Sequence, residues 1–123
     1  MASAAEVENF LTGKYKLEKY RELGYRGLWN LSSGRSQQVV MQIDERFLVV
    51  SSPFAKADDL PLPAAMKAAE DYVFGIKNDE GYYVIRHVIP LADIDESEVE
   101  WAVDVVAAVA DAIEQDSVGG DSL

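Results

Sequence analysis

Apolar residues along this chain recur at two spacings, and the switches between them mark the elements. Near the start, Val7, Phe10 and Leu11 share one helical face, behind Ser3 and Glu6 at the spacing of a capping box. Gly13 either stops this helix or bends it. Residues 14–23 keep a helical period, with Leu17, Tyr20 and Leu23 on one side and Gly24 at the end, so a second helical stretch is predicted there. Residues 25–31 change character: aromatic and branched side chains run into the turn cluster Ser32, Ser33, Gly34 and Arg35.

A period of two takes over in residues 38–43, where Val39, Met41 and Ile43 alternate with Val40 and Gln42. Asp44, Glu45 and Arg46 fit a hairpin loop. Residues 47–52 form a nearly continuous apolar strand, which Pro53 is expected to end because it has no N–H for a ladder. Residues 55–62 read as a loop and residues 63–70 as a short helix opened by Pro63, which loses nothing at a first helical position. Two strands, 72–77 and 82–89, meet at the turn Asn78, Asp79, Glu80 and Gly81.

The last element is a long helix. Asp95 is placed to cap it, and Glu96, Glu98 and Glu100 favour the positive end of its dipole. It is predicted to run to about residue 115. Val99, Val103, Val106, Ala110 and Ile113 form one apolar seam; Trp101, Val105, Ala108 and Ala112 form a second beside it. Glu100, Asp104, Asp111 and Glu114 fall on a polar stripe roughly 100° wide, leaving an apolar arc of roughly 220°. A helix resting on a sheet needs about half that arc. Another helix of the chain, a second copy or a bound client must cover the excess.

The predicted order is therefore helix, three strands, helix, two strands, long helix. An α+β domain of about five antiparallel strands with flanking helices is the simplest packing, spanning residues 1–116, with 117–123 as a flexible tail. The length of 123 residues suits one core. The formal charge of −11 is unevenly placed: residues 87–123 hold ten acids and no Lys or Arg, while Lys14, Lys16, Lys19, Arg21 and Arg26 make an earlier stretch locally basic. The acidic segment repels phosphate and argues against nucleic acid. No apolar run is long enough to span a bilayer, and the first residues lack the pattern of a secretory signal, so a cytoplasmic location and no membrane partner are expected.

Candidate chemistry is sparse. With no cysteine and one histidine, only carboxylates remain as metal ligands, and neither Asp58 with Asp59 nor Asp93, Asp95 and Glu96 follows a calcium-loop spacing. No metal and no cofactor are expected. His87, mid-strand on the face of Tyr83, Ile85 and Ile89, reads as a partly buried structural residue, so no catalytic residue is assigned. Tyr25, Trp29, Tyr72, Phe74, Tyr82 and Tyr83 give the strands a high aromatic load, and those facing outward are the best binding candidates.

The element order, together with His87, Val88, Ile89, Pro90 and Leu91, then Asp95 to Val99 and the Ala/Val-rich helix, resembles the type III secretion chaperone-like fold, particularly its YbjN-type branch. The likeness is strongest over residues 72–115. It implies a non-enzymatic homodimer that binds a polypeptide client. Carried onto this sequence, client-binding patches are expected at Val7, Phe10 and Leu11 of the first helix and at Trp29, Met41 and Tyr83 as outward sheet residues. The dimer interface is expected on the second seam, Trp101, Val105, Ala108 and Ala112. Two other readings stand beside it. One is a small-ligand pocket protein or enzyme of a helix-grip or cone-shaped α+β fold, with a closed cavity lined by His87, Tyr83 and Trp29. The other is an acidic regulatory partner docking through residues 93–116.

Overall fold

In the computed structural model, which describes residues 3–72 and 74–117, six strands form one open antiparallel sheet and three α-helices accompany it. Helix α1 (Ala4–Lys14) starts as its sequence demands: the Ser3 hydroxyl oxygen accepts the N–H of Glu6 at 3.2 Å and donates to the Glu6 carboxylate at 2.9 Å. Gly13 lies inside the helix, which ends one residue later with the Tyr15 N–H bonded to the Leu11 carbonyl.

The second helical stretch predicted for residues 14–23 is not there. The chain instead forms strand β1 (Glu18–Arg21), turns at Leu23 with φ of 55°, and returns as β2 (Gly24–Asn30). Tertiary pairing overrides the local period: Glu18 sits opposite Arg26 and Lys19 opposite Tyr25. A Cβ at Gly24 would come within 2.4 Å of the Arg21 side chain, so only glycine lets the two strands close this tightly. Six strands therefore stand where about five were expected.

Strands β3 (Ser36–Ile43) and β4 (Phe47–Lys56) continue the meander. Pro53 does not end β4. It stays in register with Val84, and a bulge follows between Pro53 and Ala55. Backbone pairing between β3 and β4 spans only Val40 to Ile43, and side chains tie the strands beyond it. The Gln37 amide donates to the Pro53 carbonyl, and the Ser52 hydroxyl donates to the Gln38 carbonyl. Helix α2 (Leu62–Ala68) leads to β5 (Gly75–Asp79) and β6 (Tyr82–Pro90). Their two-residue turn, Glu80 and Gly81, has φ of 51° and 89°, the left-handed pair of a tight hairpin. A short 3₁₀ turn (Leu91–Asp93) and helix α3 (Glu96–Ser117) complete the chain. Residues 118–123 of the expected tail lie outside the described residues.

The sheet order is β1-β2-β3-β4-β6-β5. Register assigns Val39, Met41, Ile43, Leu48, Val50, Ile85 and Ile89 to one face, and residues from all three helices share their core cluster. Among the described residues, no helix packs on the other face. Helix α3 crosses β3, β4 and β6, and its first seam is at most 1% exposed.

One departure concerns the polar stripe of α3. Asp111 and Glu114, expected in solvent, are 5% and 0% exposed. Arg35, from the β2–β3 turn, donates to Asp111 at 2.7 Å and to Glu114 at 3.2 Å. Helical periodicity records the polarity of those positions but not the cation that a distant turn brings over them.

Candidate functional site

Two surfaces remain once the core is accounted for. The first is the outer side of the helical layer. At its centre Trp101 is 53% exposed, Ala108 is exposed, and Val105 and Ala112 are half-buried. Their burial follows from their angle on α3. The first seam points straight at the sheet, whereas this one is centred roughly 150° around the helix, past the reach of the strands. Beside Trp101 stand two more rings: Phe74 at 6.1 Å and His87 at 5.7 Å, themselves 5.3 Å apart. His87, Ile89, Ser97, Glu98 and Trp101 line a surface hollow of about 440 Å³. Burial holds the His87 imidazole below its ordinary pKa, so near neutral pH the ring is uncharged and packs as an aromatic. Helix α2, which touches α3, adds Leu62 and Met66, 52% and 57% exposed.

The start of α3 is fixed by Asp95, whose carboxylate accepts the Ser97 hydroxyl at 2.7 Å and the Glu98 N–H at 2.8 Å. Those bonds hold its pKa below the usual carboxylate range, the Ser97 hydroxyl contributing most. Lys14 of α1 pairs with Glu100, which raises the lysine's pKa and ties the two helices. Burial, followed by the nearby charges of Asp104 and Glu100, pushes the Tyr15 phenol up to about 12.

Most of the expected client patch is not on a surface. Val7, Leu11 and Met41 are 0% exposed, and Tyr83, at 5%, stacks on Phe54 in the core. Phe10 and Trp29 are half-buried around Tyr15, with ring centroids 6.5 and 5.2 Å from it. Trp29, Met41 and Tyr83, taken as outward, all belong by register to the face under the helices. Alternation separates the two faces of a strand, and the face richer in large apolar side chains is the one the helices cover. His87, Tyr83 and Trp29 do not meet around a shared cavity: His87 is beside Trp101, Tyr83 under Phe54, and Trp29 against Tyr15.

The second surface is the bare face of the sheet. Val40, Pro53 and Val84 form an apolar floor beside Gln38 and Ser51, in a hollow of about 380 Å³. Tyr20, Arg21, Arg26, Lys56 and Tyr82 stand around it, with Asp79 and Glu80 at the β5–β6 turn. Arg21 and Arg26 both approach the Tyr20 ring, at 4.6 and 5.5 Å, and Arg26 also pairs with Glu18 at 2.7 Å. Register places Lys77 and Arg86 on this face as well. Of the basic residues noticed in the sequence, Arg21 and Arg26 come to this side, opposite the acidic α3, whereas Lys14 pairs with Glu100 of α3 itself and Lys19 falls opposite Tyr25 on the helix-covered face. Reading residues 14–23 as helix scattered these cations; only as a strand does that stretch deliver Arg21 beside Arg26.

No protein-family model matches the chain, and no curated protein matches it.

Proposed function

We propose that this chain is a non-enzymatic polypeptide-binding domain of the YbjN-type, type III secretion chaperone-like kind, acting as a homodimer in the cytoplasm. One observation carries the reading: a helix that closes the core with one seam leaves a second apolar seam, centred on the half-exposed Trp101, in solvent. Isolated exposed apolar residues are ordinary, but a tryptophan flanked by alanines, valine and two more rings is the composition of an interface centre. A two-fold axis lets the same seam meet itself, so a second copy is the simplest cover. Pairing in this way would bury Trp101, Val105, Ala108 and Ala112 together and leave the bare sheet face of each copy open to clients.

Sedimentation equilibrium tests the assembly. The wild-type chain should sediment at twice its 13.6 kDa mass at tens of micromolar, and Trp101→Glu should sediment as one copy with an unchanged circular dichroism spectrum. A wild-type monomer at that concentration, or a Trp101→Glu dimer, overturns the assignment.

A further inference from the structure

The open face of the sheet gives the client a chemistry. Along the described part of α3, Glu96, Glu98, Glu100, Asp104 and Asp116 reach the surface, no Lys or Arg stands among them, and Asp111 and Glu114 are taken up by Arg35. On the opposite side of the molecule, in a chain whose net charge is −11, cations outnumber acids. Arg21, Arg26, Lys56, Lys77 and Arg86 face Glu18 and Asp79, with Glu80 at the rim. A surface this polarised attracts negative partners to one side and repels them from the other.

The floor between the cations is mostly buried: Pro53 is buried, Val84 is 6% exposed, Val40 is half-buried and Ser51 beside them is 8% exposed, although no helix covers them among the described residues. A hollow of about 380 Å³ admits a few side chains rather than a helix. It therefore suits an extended chain that sets apolar side chains into the floor and carboxylates toward the rim, the alternation an extended strand provides. Tyr20 and Tyr82 supply rigid walls with little rotamer entropy to lose. We propose that this face binds extended acidic polypeptide segments in which apolar residues alternate with Asp or Glu, seated over Val40, Pro53 and Val84 and held by Arg21, Arg26 and Lys56. The proposal rests on the polypeptide-binding reading above and specifies which clients that reading admits.

The test uses the full chain and three fluorescein-labelled peptides of about twelve residues, long enough to cross the sheet at about 3.3 Å per residue. Each alternates Leu with a second residue: Glu in the first, Gln in the second, Lys in the third. By fluorescence anisotropy at low salt, the Glu peptide should bind at least tenfold more tightly than either twin, and its affinity should fall as salt rises from about 50 to 300 mM. Lys56→Glu and Arg21→Glu should each weaken it by about threefold to tenfold. Trp101→Glu, on the far side, should leave it unchanged. Lys56 is exposed, so its substitution should keep the fold even if a change in β1 does not.

If the Gln or Lys peptide binds as well as the Glu peptide, the acidic preference is wrong and polypeptide binding stands. Indifference of the Glu peptide to Lys56→Glu and Arg21→Glu, or its loss in Trp101→Glu, moves the site elsewhere and overturns the proposal. Tighter binding of a single-stranded oligothymidine, or loss of self-association in Lys56→Glu, assigns the face to a nucleic acid or to a second copy and also overturns it. Failure of all three peptides to bind refutes this inference and the polypeptide-binding reading together.

Discussion

Arg35 is the residue whose loss should be felt most sharply. Its guanidinium bridges Asp111 at 2.7 Å and Glu114 at 3.2 Å, and the side chains are 20%, 7% and 0% exposed. Arg35→Met keeps most of the aliphatic stem and removes the charge. Both carboxylates then lose the cation that faces them, while Asp111 keeps the Gln115 amide at 3.1 Å. Breaking a buried pair by removing one partner costs about 3–5 kcal/mol, and the partial exposure of Arg35 favours the lower end, about 3 kcal/mol. For a chain of this size that is a fall in Tm on the order of 10 °C. Urea denaturation followed by circular dichroism reads it directly. The triple variant Arg35→Met, Asp111→Leu, Glu114→Met removes all three charges and should return to within about 1 kcal/mol of wild type or exceed it. A cost below about 1 kcal/mol for the single variant, or no recovery in the triple, would refute the idea that this bridge clamps α3 to the β2–β3 turn.

Three further outcomes follow from local geometry. His87 has its folded pKa lowered by burial, so between the ordinary value of 6.5 and the folded one the unfolded chain binds more protons, and stability should decline as pH falls through that window. His87→Phe keeps the ring between Phe74 and Trp101 and should flatten that part of a urea-midpoint profile measured downward from neutral pH. Asp95 has its folded pKa depressed, so its stabilising share is present above the ordinary carboxylate value and disappears as pH falls through the folded one; Asp95→Ala should lower Tm near neutral pH and converge with wild type in acid. Gly81 sits at φ of 89°, so Gly81→Ala should destabilise by about 1–2 kcal/mol, seen as a lower urea midpoint with unchanged m.

The long helix was legible in the sequence because its signals agree: a capping aspartate, an acidic first turn and a seam that repeats over several turns all point the same way. The same was true of β3, whose strict alternation survives from sequence to structure, and of β6, which the turn at Glu80 and Gly81 announces. Residues 14–23 misled because a three-to-four spacing of Leu17, Tyr20 and Leu23 satisfies a helix locally. Their fate is decided by a tight hairpin with β2, which is held in turn by its pairing with β3 farther along the chain. Pro53 misled differently: its missing N–H matters only on a side with a ladder, and β3 pairing already stops at Ser51.

The surfaces were legible by half. Trp101, Val105, Ala108 and Ala112 emerge on the outer side because the arc of a single helix can be counted from sequence. Val7, Leu11, Met41 and Tyr83 do not, because choosing which face of each strand is covered requires knowing where the helices lie. The hollow on the bare face draws on all six strands and on Glu80 of the β5–β6 turn, a grouping that only sheet order creates.

Self-association through α3 depends most on Trp101 being covered by a second copy, and its own fluorescence reports that. The chain has two tryptophans, so Trp29→Phe leaves Trp101 as the sole emitter. On raising that variant's concentration from nanomolar to tens of micromolar, the emission maximum should move to the blue, with the shift tracking the dimer fraction found by sedimentation. An emission maximum that stays constant while the mass doubles would put the contact on another surface, and one that stays constant with no change in mass would leave the outer seam of α3 bare.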